Sequence, residues 1–412
     1  MTRAIAACRT LAGITAMLCS SPLLGVELAG QVNIEHRQFF SDGAQGQDKG
    51  QTSLVLQPEL YWDLQDGDAS FTFTPFYRWD SMDDERTHGD IREALYLTYW
   101  DDYELRVGIS KVFWGVTESA HLVDVVNQID AIEAVDGEDK LGQPMVHFTS
   151  IKEWGTVDAM LLPYFRERTF AGKDGRLRID PVVSDDALYE SSREEKHVDV
   201  AFRYAQMLGD WDVGLSYVYG TNRDPYFRFD QGELKPYYAL MSHVGLDVQG
   251  IVGDWLWKLE SVYRDSFDNH VGVVTGFEYT IVGAFDTVWD VGIIGEYLYD
   301  SRGNNAQNIG QNDAFAGIRL ALNDEDGTEI LTGITQDLDN SDVYNAKLEL
   351  PAAFQIISSG KSMLGCLKMT RQRTCFISHG TTTLSNSLSS IIFKLVDKLI
   401  EKLEASRSTS LF

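Results

Sequence analysis

The chain has 412 residues, enough for two soluble domains or one large barrel, and carries 62 Asp and Glu against 35 Lys and Arg, a formal charge of -27. So acidic a chain excludes non-specific binding to nucleic acid, which needs a basic face. The four cysteines, Cys8, Cys19, Cys366 and Cys375, lie near the two ends, so the body between them has no thiolate metal ligands and no disulfide framework.

Residues 1–25 read as a secretory signal: Arg3 and Arg9 precede a mostly apolar run from Thr10 to Met17. Cleavage is expected near Gly25 to Ala29. Cys19 invites a lipoprotein reading, but Leu18 before it is bulkier than a lipobox tolerates. No later stretch approaches the roughly 20 apolar residues that a spanning helix needs, so a membrane crossing would have to use strands.

From there apolar and polar residues alternate, the period of a strand with one row of side chains on each face. The alternation predicts strands at 27–40, 52–64, 69–80, 89–100, 103–113, 145–153, 156–167 and 194–207. It predicts eight more at 211–221, 236–249, 254–265, 269–282, 286–300, 309–322, 328–337 and 341–350. Alternate connections are tight and rich in Gly, Asn and Asp, such as Gln65-Asp-Gly-Asp68, Asp101-Asp102 and Leu208-Gly-Asp210, residues that accept the positive φ of hairpin turns. The others are often long: 41–51, 81–88, 114–144, 168–193, 222–235 and 301–308. Short turns on one rim and long loops on the other are the pattern of an outer-membrane barrel.

The faces agree with that. Phe71, Phe73, Pro75, Tyr77 and Trp79 oppose Thr72, Thr74, Phe76 and Arg78; Leu105, Val107 and Ile109 oppose Arg106, Gly108 and Ser110; Trp255, Trp257 and Leu259 oppose Lys258 and Glu260. The apolar rows should meet hydrocarbon, where an unpaired cation costs about 2–4 kcal/mol at mid-depth. Tyr61, Trp62, Tyr99, Trp100, Tyr217, Tyr219, Tyr297 and Tyr299 fall near strand ends, where an aromatic girdle belongs. The expected fold is all-β: a transmembrane antiparallel up-and-down β-barrel over residues 26–350, with about sixteen strands present.

After Leu350 the pattern stops. Residues 351–412 contain eight Lys and Arg against three Asp and Glu, reversing the earlier balance. Lys361 to Thr383 fits neither strand nor helix period well, and Lys394 to Ala405 reads as an amphipathic helix. Joining the third base of each codon to the first two of the next forces Asp at Met369-Thr370. The same re-reading lets Ser390 to Lys394 spell Tyr-Tyr-Phe and a stop. A frameshift near Leu350 is the expectation this generates: an ancestral barrel of eighteen strands whose last two are scrambled here, leaving an aberrant tail over 351–412.

Arg92-Glu-Ala-Leu-Tyr96, Leu105-Arg-Val-Gly108, Val112-Phe-Trp-Gly115 and Asp124-Val-Val-Asn127 resemble a family of Gram-negative outer-membrane porin-like β-barrels of largely unassigned function. The resemblance is close over about 89–130 and looser to Leu350. It implies the outer membrane after export, and a channel, but offers no catalytic residues to carry over.

Seven inward basic residues, Arg78, Arg92, Arg106, Arg203, Lys258, Arg264 and Arg319, could line a pore and favour anionic solutes. They could equally pair with inward acids such as Asp199, Glu260, Glu278, Asp290 and Glu296 to stiffen the wall. The loop 114–144 has apolar patches (Val123, Val125, Val126, Ile129 and Ile132) that would be wasted in solvent. Two readings of it stand side by side. In one it folds inward and sets Trp114, Glu118, His121, Asp124, Asn127 and Asp130 at a constriction; in the other it packs over the outer rim. The loop 168–193, with Lys173-Asp-Gly-Arg-Leu-Arg178, reads as a solvated surface loop without calcium-binding spacing.

His36, His88, His121, His147, His197, His243 and His270 are scattered, and no nucleophile elbow, zinc-protease or phosphate-loop motif occurs. The chain is therefore expected not to be an enzyme and to need no metal or cofactor. Its expected partners are outer-membrane lipid and lipopolysaccharide, the barrel-assembly machinery and small solutes. The functional expectation is passive diffusion of small hydrophilic solutes, anionic ones in its finer form. The competing class is a structural or surface-interaction barrel whose lumen is blocked.

Overall fold

The computed structural model describes residues 26–39, 42–134, 137–306, 310–325, 327–351 and 372–378. The chain enters as β1 (Val26–Gln38), β2 (Gly50–Leu64), β3 (Ala69–Asp80), β4 (His88–Trp100) and β5 (Tyr103–Ser110). After a long loop come β6 (Gln143–Lys152), β7 (Gly155–Leu162), the short β8 (Leu188–Tyr189), β9 (Asp199–Leu208) and β10 (Trp211–Thr221). A hairpin, β11 (Tyr226–Asp230) and β12 (Glu233–Tyr238), leads to β13 (Leu240–Val252), β14 (Trp255–Asp265), β15 (His270–Ile281) and β16 (Asp290–Asp300). Then follow β17 (Asn312–Ala321), β18 (Glu329–Asp337), β19 (Tyr344–Pro351) and β20 (Gln372–Ser378).

Seventeen of these strands form one sheet. Leaving out β8, β11 and β12, each pairs antiparallel with the next in chain order, from β1–β2 to β19–β20. All sixteen strands read from the alternation are present in it. Their ends differ by a few residues where loops begin early, as at Ser110 in place of 113 and Leu162 in place of 167. Tight turns form where the sequence placed them, with Asp101 at φ 50° and Gly209 at φ 66°. Pro75, which has no N–H to give, coincides with a shift in the β3–β4 register between Thr74 and Pro75.

Three features depart from the sequence reading. The connection read as a loop over 222–235 contains the hairpin β11–β12, and the strand read as 236–249 is broken at Ala239 into β12 and β13. The connection read as a solvated loop over 168–193 is tied down. The N–H of Gly172 donates to the Asp83 carboxylate, and β8 pairs parallel with β12. Gln372–Ser378, inside a stretch with no clear period, pairs with β19. Among the described residues β1 pairs only with β2, so the sheet is not closed into a ring. The expected signal at 1–25 and most of 351–412 lie outside the described residues.

The two faces have opposite chemistry. Trp79, Val107, Phe202, Leu215 and Trp257 stand outward and exposed, while Arg78, Ala201, Ser216, Val218 and Lys258 point inward and are buried. Aromatic rings crowd the short-turn end: Tyr103 stacks on Phe148 at 5.6 Å, and Trp255 meets Tyr279 at 4.8 Å. An apolar exterior on a sheet with a charged interior is the reverse of a soluble sandwich, and suits hydrocarbon outside and water or protein within. Replacing Leu215, mid-strand and 52% exposed, with Arg should therefore destabilise the protein in lipid by about 2–4 kcal/mol. Urea unfolding from vesicles measures this, and a cost near zero would show that the outer row does not meet hydrocarbon.

Candidate functional site

The inner face is occupied by the connection between β5 and β6, residues 111–142. Its two ends are joined by one side chain. Asn127 Nδ2 donates to the carbonyls of Ser110 (3.0 Å) and Leu141 (2.9 Å), and its Oδ1 accepts the N–H of Val112 (2.9 Å). The loop's apolar residues then find a core. Trp114, Val123, Val125 and Val126 pack against Met145, Met160, Leu162, Ala201, Val218, Met241 and Val262 from the wall. Val123 and Val126 are fully buried. The loop therefore lies inside the curve of the sheet and not over the rim.

Two wall carboxylates hold its backbone. Glu260, on β14 and fully buried, accepts the N–H groups of Val116 (2.7 Å), Thr117 (3.1 Å) and Val123 (3.2 Å) and the Thr117 hydroxyl (2.8 Å). Glu296, on β16, accepts the N–H groups of Glu118 and Ser119, each at 2.8 Å. These loop N–H groups have no strand partner, and a buried donor left unpaired costs roughly 1–3 kcal/mol. An anion among several N–H donors makes the stronger, charge-assisted kind of bond. Gly115 lies so close that a Cβ there would meet His121 Nδ1 at 2.9 Å and Glu260 Oε1 at 3.2 Å.

Loop side chains complete the attachment. Glu118 bridges Lys258 Nζ (2.8 Å) on β14 and Arg319 Nη2 (2.6 Å) on β17. Asp130 takes Arg92 Nη1 (2.6 Å), Glu133 takes Arg78 Nε (2.7 Å), and Asp124 takes Lys140 (3.3 Å). The Val126 carbonyl accepts Arg223 Nε (3.1 Å). His121 sits between Glu138 (3.6 Å) and Glu260 (3.9 Å), and its ring meets that of Phe113 nearly at right angles, centroids 4.9 Å apart.

Each of the six residues placed at a constriction thus belongs to one infolded body. Trp114, Asp124, Asn127 and Asp130 are buried in its packing, whereas Glu118 and His121 keep about a fifth of their side chains exposed. The seven basic residues are on the inner face, and each has a carboxylate. Arg78 binds Glu133 and Glu35; Arg92 binds Asp130 and Asp90; Arg106 binds Glu104. Arg203 binds Asp247, Arg264 binds Asp224, and Lys258 and Arg319 share Glu118 and Glu278.

Of the acids considered as wall partners, only Glu278 pairs with members of that set. Asp199 instead holds Arg223, Asp290 caps a turn at Gly283, and Glu260 and Glu296 hold the loop. The sequence reading also passed over Arg86 and Arg168, which sit on loops. Asp224 is gripped by Arg168 and Arg264, each at 2.7 Å, and these two cations hold its carboxyl well below the usual range against the cost of burial. His88, Asp130 and Glu133 bring potential ligand atoms within 4.8 Å of one another. Arg92 and Arg78 already occupy both carboxylates and would oppose a metal cation.

No protein-family model matches the chain, and no curated protein matches it. Among solved structures it is similar to OprB of Pseudomonas putida, at 14% identity over 79% of this chain and 92% of that one, TM-score 0.46. OccK11 (OpdR) of Pseudomonas aeruginosa aligns at 10% identity over 87% of this chain and 92% of that one, TM-score 0.44. A variant of the Rh. blastica porin aligns at 12% identity over 76% and 96%, TM-score 0.42. These TM-scores all lie below 0.5, and the fold rests on the strand-pairing ladder alone.

His121 offers a pH test of the docked loop. Burial opposes its charge, but Glu138 and Glu260 win and raise it to about 10, above an ordinary value of 6.5. A histidine raised on docking stabilises the docked state fully below its ordinary pKa, and that contribution is lost as pH rises through the raised one. Hydrogen exchange over 111–128 should accelerate from neutral pH toward pH about 10 beyond the intrinsic base dependence. In His121→Gln that excess should vanish; identical profiles in the two proteins would remove His121 from the attachment.

Proposed function

We propose that this protein is an outer-membrane channel for passive diffusion of small hydrophilic solutes, with the loop 111–142 as its constriction. The observation that carries the reading is the inward body held on Glu260 and Glu296, inside a sheet whose exterior is apolar. Seventeen strands could enclose an interior wide enough for water as well as a plug. No step of chemistry is required of such a protein. Its partners would be lipid and lipopolysaccharide at the outer surface and the barrel-assembly machinery on the way there.

The finer reading, a preference for anions, draws on the seven inward basic residues. It requires solutes to compete with the carboxylates that already hold them. A blocked, structural barrel is the second reading. It is favoured by the apolar cluster with which the loop fills the interior around Trp114 and Val126. Removing residues 118–138 should raise single-channel conductance in planar bilayers if the loop narrows a path. If the loop fully blocks it, native protein should be silent and the deletion conducting. Equal conductance in both would place the constriction elsewhere.

The frameshift reading belongs with this proposal. In hydrocarbon an unpaired strand edge leaves N–H and C=O groups without partners, so a membrane barrel must close. Among the described residues β1 has one free edge. Two strands encoded in the shifted frame after Leu350, ending in Phe, would supply closure. Sequencing the gene decides this: codons 390–394 should read Tyr-Tyr-Phe-stop in the shifted frame, and any other reading removes the proposal.

A further inference from the structure

We infer that the short-turn half of the interior favours cationic over anionic solutes, an inference that rests on the diffusion reading above. Directly opposed residues of an antiparallel pair share a face, so the register assigns every side chain. Val55 and Ser53 are inward and buried on β2, which places Glu59 and Asp63 of that strand inward too. Glu59 opposes Ala29 on β1, so Glu27, two residues away, is also inward. Asp212 shares the inner face of β10 with Ser216 and Val218 and opposes Gln249. All four carboxylates are exposed, and none forms an ion pair among the described residues. Their one side-chain bond is weak, from Gln249 Nε2 to Asp212 at 3.4 Å.

The inward cations of this half are in the opposite condition. Arg106 is held by Glu104 at 2.5 Å. Arg203 is forked onto Asp247, with Nη2 2.8 Å from Oδ2, and its guanidinium lies 5.5 Å from the Trp114 ring. Further in, Lys258 and Arg319 share Glu118 and Glu278, and Arg319 also meets Glu329. Two cations against three acids leave that cluster negative as well. A solute approaching from the short-turn end therefore meets free carboxylates and neutralised guanidinium groups. Low-dielectric walls focus the field of such charges, and rings of Asp and Glu are how cation-preferring pores are made.

The test is the reversal potential in planar bilayers under a KCl gradient of about tenfold, with both sides kept dilute so that screening does not erase the field. The full chain and the frame-restored chain are both measured. Each is also measured as the quadruple variant Glu27→Gln, Glu59→Gln, Asp63→Asn and Asp212→Asn. These side chains are exposed and outside the loop's attachment, so folding should survive, as confirmed by retention of the native circular dichroism. K+ should permeate more readily than Cl−, and the variant should shift the reversal potential toward zero. Chloride preference in the native protein, or an unshifted potential in the variant, overturns the inference and leaves the channel standing. Silence in every chain, and after removal of 118–138 as well, overturns the channel and this inference with it.

Discussion

Hydrocarbon cannot hydrogen-bond a peptide group, and that constraint organises this molecule from the outside in. It explains why the strands of the sheet pair each with the next along the chain, and why their alternate side chains are apolar. It also sets the problem of the interior. A sheet with an apolar exterior keeps its polar residues within, where they must find water or one another. Here the connection between β5 and β6 reaches in and supplies many of the wall's partners, and the wall supplies partners to the loop's unpaired backbone.

The charge economy of the interior follows from the same need. Arginines on β3, β4, β9, β14 and β17 face inward because they cannot face out, and acids gather around them because an unpaired buried charge is costly. Several of those acids come from the loop: Glu133 for Arg78, Asp130 for Arg92, Glu118 for Lys258 and Arg319. Buried pairs of this kind contribute little net stability after desolvation, but removing one partner is expensive, so they fix where the loop sits more than how tightly the whole holds.

How much of this could be read beforehand depended on the range of the signal. Strand alternation is written in neighbouring residues, so β3 and β14 could be assigned with their faces from Phe71 to Trp79 and from Trp255 to Glu260 alone. The loop's apolar patches around Val123 raised inward folding without deciding it. The attachment was out of reach: Thr117 meets Glu260 across 143 residues and Ser119 meets Glu296 across 177. Glu260 and Glu296 were read as ion-pair partners because a carboxylate's usual mate is a guanidinium, and nothing local says that it will bind backbone. The hairpin β11–β12 was missed because Arg228, Asp230 and Glu233 dilute its alternation.

Glu118 grips two strands that are not neighbours, since β15 and β16 separate β14 from β17. A thin curved shell flattens easily when squeezed unless something inside ties distant parts of its circumference together. The loop, rooted between β5 and β6 and fastened to β14, β16 and β17, is such a tie. It acts as an internal strut, so that lateral pressure from the surrounding lipid is carried by side-chain bridges as well as by the ladder.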